Sequence, residues 1–167
     1  MSVSIRPWVL EDATVLALYL NNINIWNNMR NYLPYPYTLV DAEEFITAQV
    51  LISPVQNFAI LNDNEVVGGI GILLKTDVYL MNVELGYWIG EPFWGLGIAT
   101  EAVRLMTDHI FQSFAINRIV AEVFEYNKSS MRVLEKNGYY LETVSRKGLL
   151  KNDYLIDNYI WVKQKIY

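Results

Sequence analysis

Residues 91–100 of this chain read Glu91-Pro92-Phe93-Trp94-Gly95-Leu96-Gly97-Ile98-Ala99-Thr100. The run 78–89 before them is rich in aromatic and β-branched residues, which predicts a strand. The segment 97–114 after them repeats apolar residues at every fourth position, which predicts the most regular helix of the chain. That apolar row consists of Ile98, Ala102, Met106, Ile110 and Phe114. The glycine-rich stretch is therefore predicted to connect a strand to a helix.

The connection has the composition of an anion-binding turn. Gly95, Gly97 and Ala99 keep side chains short where the helix begins. The unpaired N–H groups of a helix's first turn, together with the helix dipole, favour an anion such as a pyrophosphate. A P-loop is excluded because no Lys-Ser/Thr pair follows the glycines, and a dinucleotide fingerprint needs three small residues at another spacing. The pattern alone leaves two interpretations, an anion site and a tight turn that merely needs glycine.

Outside this connection, predicted helices and strands are interleaved. Those before it are the strand Val3–Arg6, the helix Glu11–Leu20, a helix from an N-cap at Asp41 to about Leu51, and the hairpin strands Asn57–Leu61 and Glu65–Leu74. Those after it are the strand Arg118–Phe124, the helix Asn127–Lys136, and the strands Tyr139–Ser145 and Asp153–Val162. This order predicts an α/β (α+β) chain with one central sheet, and 167 residues suit a single domain, 1–167.

Composition excludes several functional classes. The chain has no cysteine and a single histidine, His109, so a disulfide framework, a thiolate metal site and a cysteine nucleophile are excluded, and no metal is expected. The net charge of −5, with no basic run, argues against nucleic-acid binding. No stretch has the roughly 18 consecutive apolar residues of a membrane span, and no signal-peptide pattern opens the sequence. We therefore expect a cytoplasmic protein without membrane association.

Two ordered motifs narrow the interpretation. Gly95-Leu96-Gly97-Ile98-Ala99-Thr100-Glu101-Ala102 follows the strand Glu84-Leu85-Gly86-Tyr87-Trp88-Ile89, and a second block, Asn127-Lys128-Ser129-Ser130 to Asn137-Gly138-Tyr139, comes later. Together they resemble the Gcn5-related N-acetyltransferase (GNAT) superfamily, most closely its branch of ribosomal-protein N-terminal acetyltransferases. Trp94 occupies the family's Gln/Arg position, and Leu96 stands where a lysine, arginine or glutamine is frequent. Backbone donors are then expected to carry more of the phosphate binding.

The resemblance implies a fold and a cosubstrate. The fold is a mixed, mostly antiparallel central sheet of about seven strands, splayed in the middle, with helices on both faces. The cosubstrate is acetyl-CoA, with its pantetheine arm between the splayed strands. The cofactor-binding residues that the resemblance implies are Trp88, Ile89, Gly95, Leu96, Gly97, Ile98, Ala99, Thr100, Asn127 and Ser130.

The resemblance also implies the chemistry. Acetyl transfer to an amine needs a base for the amine and an acid for the leaving thiolate. Glu84 is the candidate base, with a solvent-facing or salt-bridged structural glutamate as the alternative interpretation. Ser130 is the candidate acid, and the alternatives are a first-turn helix residue or one of the tyrosines Tyr126, Tyr139 and Tyr140. Asn127 is equally suited to a plain helix N-cap.

We therefore predict an acetyl-CoA-dependent N-acetyltransferase that acts on a primary amine by direct attack in a ternary complex. The acceptor is a protein N-terminus, as in the resembled branch, or a small amine such as a polyamine or an aminoglycoside. A CoA-binding regulatory module without catalysis is the alternative from another class. Transfer of a larger acyl group stays open, and the branch makes a homodimer one expectation for the assembly.

Overall fold

A computed structural model describes residues 2–166. These residues form two compact units. The first contains the chain up to Gly71 together with Tyr87–Ala102, and the second contains Ile72–Gly86 together with the chain from Val103 onwards. Three elements contribute residues to both units: strands β3 (Glu65–Leu74) and β4 (Asn82–Ile89) and helix α4 (Ile98–Ser113).

The first unit is built on an antiparallel meander. Strand β1 (Val3–Pro7) pairs with β2 (Asn57–Asn62), and β2 pairs with β3. The β2–β3 turn places Asp63 and Asn64 at φ values of 50° and 70°, the left-handed region that short asparagine and aspartate side chains tolerate. This confirms the predicted hairpin around residues 62–64.

Three helices cover this part of the chain. They are α1 (Ala13–Leu20), the short α2 (Ile23–Trp26) and α3 (Leu39–Gln49). Their apolar faces bury Leu16, Leu20, Ile25 and Ile46 against Ala59 and Leu61 of β2. Each of these side chains is at least nine-tenths buried, so their removal from water is a main stabilising contribution in this unit.

The start of α3 corrects one prediction. The N-cap is Thr38 rather than Asp41: the Thr38 hydroxyl oxygen accepts from the Asp41 N–H at 3.2 Å. The Asp41 carboxylate in turn accepts from the Thr38 N–H at 2.7 Å. Asp41 is thus the reciprocal partner of a capping box, three residues inside the cap. Aspartate is favourable both at the N-cap and in the first helical turn. The residue type of Asp41 therefore did not distinguish the two positions.

The second unit contains the parallel step of the sheet. Strand β4 pairs in parallel with β5 (Arg118–Phe124). The pairing extends over three residue pairs, from Asn82 with Arg118 to Glu84 with Val120. Strand β7 (Tyr154–Gln164) pairs antiparallel with both β5 and β6 (Tyr140–Lys151). The strand order is β1-β2-β3-β4-β5-β7-β6, which confirms the predicted mixed sheet of seven strands.

Two strand boundaries differ from the sequence prediction by four residues or more. The run 78–89 was predicted as one strand, but Asp77–Tyr79 forms a 3₁₀ turn and β4 begins only at Asn82. Strand β6 continues to Lys151, well beyond the predicted end at Ser145. Most of its side chains are exposed on both faces, so it lacks the apolar alternation from which a strand is predicted.

The helices of the sequence motifs form where predicted. Helix α4 buries Ile98, Ala102, Met106 and Ile110 to 1% exposure or less, which confirms four members of the apolar row. The fifth, Phe114, follows the end of the helix and is only partly buried. Helix α5 (Lys128–Lys136) buries Met131 and Leu134 and ends before Gly138 at φ 75°. None of the helices in the described part of the chain is long and apolar enough to cross a membrane.

An ion pair near the start of the chain makes stability depend on pH. Arg6 donates to both carboxylate oxygens of the buried Asp12, at 2.7 and 2.9 Å, and the Val9 N–H donates at 3.1 Å. Burial alone would raise the pKa of Asp12, but these donors and the arginine charge outweigh it, and the pKa is lowered. The ionised carboxylate therefore stabilises the fold in full above the unfolded-state pKa, and the contribution is lost as pH falls through the lowered native pKa.

We expect Asp12→Asn to reduce the free energy of unfolding by about 2 kcal/mol at neutral pH, because charge-assisted hydrogen bonds are lost. The difference from wild type should shrink below about pH 4, where Asp12 begins to be protonated in the unfolded chain. Urea denaturation across pH measures both effects. Asp108→Asn is the control, since its pair with Arg104 is about half exposed on both sides. An Asp12→Asn deficit that is constant from pH 7 to pH 2 would contradict the assignment.

Candidate active site

The glycine-rich connection lies in the first unit, between a 3₁₀ turn (Glu91–Phe93) and α4. Gly95 and Gly97 have φ values of 78° and 82°, a region that side chains with a Cβ rarely adopt. A Cβ at either position would meet no atom within 4 Å, so the backbone angle rather than crowding requires glycine. The Gly97 carbonyl accepts from the Glu101 N–H at 3.2 Å, which makes Gly97 the residue that opens the helix.

Trp94 fixes the first residue of this turn. Its indole N–H donates to the Ile89 carbonyl at 2.7 Å, although 47% of the residue is exposed. From the sequence alone, Trp94 is only a departure from the family's Gln/Arg. In the structure its indole N–H joins the glycine-rich connection to the end of β4. The ring is therefore fixed at its N–H edge although much of it is exposed.

Glu91 ties the same turn to the segment between α1 and α2. Its carboxylate accepts from the Asn22 amide at 2.6 Å and from the Asn24 amide at 3.1 and 3.2 Å. These hydrogen bonds, from Asn22 first, lower the pKa of Glu91. Asn22 is also the N-cap of α2, because its side-chain oxygen accepts from the backbone N–H groups of Asn24 and Ile25. Sequence reasoning did not identify this clamp, which joins residues almost 70 positions apart.

Some backbone groups of Trp88 and Ile89, which are predicted to contact the cofactor, already make contacts within the protein. The Ile89 carbonyl accepts the Trp94 indole hydrogen bond. The Trp88 carbonyl lies so close to β3 that a Cβ on Gly68 would approach it to 2.4 Å. Only glycine fits there. Contact of the Trp88 and Ile89 backbone groups with the cofactor stays a prediction.

Glu84 lies in the second unit, on β4 opposite Val120 of β5. Its side chain is 17% exposed, and the Lys75 ammonium group lies 3.0 Å from one carboxylate oxygen. Lys75 follows β3 directly, and the sequence analysis did not connect it with Glu84. A structural role for Glu84 requires such a salt bridge. The same contact also fixes the position of the carboxylate, as a role as general base requires.

Asn127 and Ser130 meet at the start of α5. The Asn127 side-chain oxygen accepts from the Ser130 N–H at 3.2 Å and from the Ser129 hydroxyl at 3.1 Å. Asn127 is therefore the N-cap of α5, and Ser130 is a first-turn residue whose N–H is capped. Contact of either side chain with the cofactor stays a prediction.

The alternative acids differ in their surroundings. Tyr139 is 3% exposed and its hydroxyl lies 2.8 Å from the Thr107 hydroxyl, and burial raises its pKa. Burial, with the Glu125 charge, also raises the pKa of the half-exposed Tyr126. Tyr140 is 47% exposed. Tyr139 is thus least suited to proton transfer. The His109 Nδ1 atom lies 3.2 Å from the Ser113 hydroxyl, one turn further along the same helix α4.

Comparisons with known proteins agree on the family. The acetyltransferase (GNAT) domain family matches residues 2–140. The chain is 30% identical over 162 residues to the uncharacterized N-acetyltransferase p20 of Bacillus licheniformis, covering 95% of this chain and 90% of that protein. It is 29% identical over 96 residues to the ribosomal-protein-serine acetyltransferase of Escherichia coli (strain K12), covering 58% and 53%. The chain spans about half the length of several curated relatives that it matches.

A solved structure shows the same fold. It is Mycobacterium smegmatis RimJ in complex with CoA-disulfide, with a TM-score of 0.86 and 22% identity. The superposition covers 97% of this chain and 81% of that one.

The resemblance stated from the two sequence motifs is therefore confirmed at the level of the GNAT family, and a ribosomal-protein acetyltransferase is among the relatives. Membership also bears out the expectation of an acyltransferase. The chain belongs to the GNAT family of acetyltransferases.

Proposed function

We propose that this chain is an acetyl-CoA-dependent N-acetyltransferase that moves an acetyl group to a primary amine by direct attack in a ternary complex. The observation that carries the proposal is the turn before α4. Gly95 and Gly97 are held at positive φ directly ahead of a 16-residue helix. Membership of an acetyltransferase family supports CoA as the anion that such a helix start would bind.

The residues of the turn fit a pyrophosphate. Space in front of Gly95 and Gly97 lets a polyanion approach the backbone closely. The first-turn N–H groups of a helix have no carbonyl partner in that helix and lie at the positive end of its dipole. Leu96 offers no donor, so Gly95, Gly97 and the residues Ile98, Ala99 and Thr100 would bind mainly through the backbone. Trp88, Ile89, Asn127 and Ser130 would hold the rest of the cosubstrate.

The chain's own groups would handle the protons. Acetyl-CoA supplies an activated acyl thioester when it is bound. The Glu84 carboxylate, fixed by Lys75, would accept the proton that the amine loses as it attacks. The Ser130 hydroxyl, on a residue anchored by the Asn127 cap, would donate a hydrogen bond to the leaving sulfur. No covalent enzyme intermediate is needed, which suits a chain without cysteine.

One relative supports a protein acceptor. That relative is named for acetylating a serine of a ribosomal protein, so we propose a protein N-terminus as the first acceptor to test and a small amine as the second. Release of CoA, measured in parallel against N-terminal peptides, polyamines and aminoglycosides, tests the function. Product from at least one panel is expected. Tight CoA binding with no product from any amine would instead favour the regulatory module, in which Glu84 serves only as the partner of Lys75.

The Glu91 clamp gives a further prediction. Glu91→Ala removes the acceptor for both Asn22 and Asn24 and loosens the turn that precedes Trp94. We expect the KM for acetyl-CoA to rise about three- to tenfold, a cost near the net contribution of one neutral hydrogen bond. Steady-state kinetics with acetyl-CoA varied measures it. Glu43→Ala on α3 is the matched control in the same unit, and an equal change in both variants would contradict the role of the clamp.

A further inference from the structure

The sheet register of the second unit places two carboxylates on one face. Residues that pair directly in a sheet project to the same side, and side chains alternate along a strand. Glu84 pairs with Val120, so Glu84 shares its face with Val120 and Glu122 of β5. Phe124, the next residue on this face, pairs with Asn158 of β7. Glu84, Glu122 and Asn158 therefore belong to a single surface of the sheet.

This surface is opposite the one that α5 covers. The β7 residues that contact α5 and the residue after it, Tyr159 and Lys163, alternate with Asn158. Gly86, the next residue after Glu84 on this face of β4, contributes no side chain, and a Cβ there would meet no atom within 4 Å. The region beside Glu84 on β4 is thus open.

The side-chain oxygen of Asn158 is a buried polar atom without a hydrogen-bond partner among the described residues. The residue is 5% exposed, and its amide nitrogen donates to a Glu122 carboxylate oxygen at 2.9 Å. This bond fixes the orientation of the amide, because the flipped form would set its oxygen against the carboxylate. The Asn158 oxygen is then an acceptor, and it has no donor among the described residues. A buried acceptor without a donor is unfavourable, and a bound N–H group would supply the missing hydrogen bond.

An ammonium group has the matching chemistry. It carries three donors, no acceptor and a positive charge, so it can donate to the Asn158 oxygen and face the Glu122 carboxylate together. Glu122 is one diagonal step from Glu84 on the neighbouring strand, two residues beyond the pairing partner Val120. A single amine does not span that step. An acceptor whose reacting amine is at Glu84 needs a second nitrogen to reach Glu122 and Asn158.

We propose that Glu122 and Asn158 form a recognition site for a second ammonium group, carried by the same acceptor molecule as the amine that is acetylated. The inference rests on the proposed function, since it takes Glu84 as the position of the reacting amine. The second ammonium belongs either to a small diamine or to a lysine at the second position of an N-terminal peptide.

Matched acceptors separate these sources. Acetyl transfer is measured with 1,5-diaminopentane against 1-aminopentane, and with N-terminal peptides that carry lysine or norleucine at the second position. In at least one pair, kcat/KM should be about tenfold or more higher for the acceptor with the second ammonium. Glu122→Gln keeps an acceptor for the Asn158 amide but removes the charge, and Asn158→Ala removes the site's oxygen. Both variants should abolish the preference and leave the weaker partner of the pair and the Kd for CoA unchanged. Glu135→Gln on α5 is the control and should keep the preference.

A second readout does not depend on turnover. The preferred acceptor should raise the Tm of wild type and of Glu135→Gln, and this rise should be lost in Glu122→Gln. Acetyl transfer without any preference within the pairs would overturn the inference and leave the proposed function standing. A Tm rise that requires Glu122, with no CoA release from any amine, would support the site and overturn the function. Variants that lower both members of a pair alike would assign Glu122 and Asn158 a purely structural role.

Discussion

Glutamine in place of Glu84 is expected to lower kcat by about 10²- to 10⁴-fold, the range that general-base catalysis supplies, while the Kd for acetyl-CoA is unchanged. An amine is protonated at neutral pH and has no lone pair to attack with until a proton leaves. Glutamine keeps the size and one oxygen of the side chain but has no negative charge with which to accept that proton. The loss should therefore fall on the chemical step rather than on binding.

The contact with Lys75 provides the competing explanation, in which Glu84 only stabilises the sheet. A pair that is 36% exposed on one side and 17% on the other is worth about 1 kcal/mol or less, so a purely structural loss would cost stability and little activity. Glu142→Gln is the matched control, since Glu142 also lies on a strand of the second unit and pairs with Arg118. Lys75→Met separates the roles further, because it removes the salt bridge and keeps the carboxylate.

Rapid-quench kinetics and calorimetric titration with CoA measure the two quantities. Loss of the ascending limb of the pH profile of kcat/KM in Glu84→Gln, with Lys75→Met and Glu142→Gln retaining it, would support the base. A Glu84→Gln enzyme with unchanged turnover across pH would remove Glu84 from the mechanism. Equal loss in Glu84→Gln and Lys75→Met would assign both residues to structure.

Local sequence rules predicted the elements whose causes are local. The β2–β3 hairpin follows from three consecutive turn residues between apolar runs, two of which adopt positive φ. Helix α4 follows from its apolar row, and β5 from seven residues that are mostly β-branched or apolar. The identity of the anion at the glycine-rich turn did not follow from the turn. It needed the second motif around Asn127 and the resemblance that the two motifs carry together.

The remaining features depend on contacts distant in sequence. Glu91 receives hydrogen bonds from asparagines almost 70 residues earlier, and Glu122 receives one from Asn158, 36 residues later. Periodicity reports only which face of an element is apolar, so it carries no information on such polar pairs. Lys75 and Glu84 are nine residues apart, but they are separated by an irregular segment that the sequence analysis had assigned partly to a strand. A wrong strand boundary concealed that pair.

Valine in place of Gly97 is expected to raise the Kd for CoA by about 10- to 100-fold. Gly97 opens α4 at φ 82°, and a β-branched residue is rarely found at positive φ. The backbone around it would rotate away and carry the first-turn N–H groups with it. Displacement of one hydrogen bond to a charged phosphate costs about 1.5–3 kcal/mol, which corresponds to this change in Kd. Calorimetric titration with CoA measures the effect.

The difficulty with any glycine variant is that strain lowers stability throughout the chain, and a less stable protein also binds more weakly. Gly138 resolves this, because its φ of 75° is nearly the same and its Cβ would meet only the Lys163 ammonium group at 3.6 Å. Gly138→Val should therefore lower the free energy of unfolding by a similar amount, measured in urea, and leave the Kd for CoA unchanged. Two variants equal in stability and different in CoA affinity would assign the loss to the turn before α4. If both weakened CoA binding alike, the positive φ at Gly97 would be a folding requirement only, and the cofactor would have to be sought elsewhere in the chain.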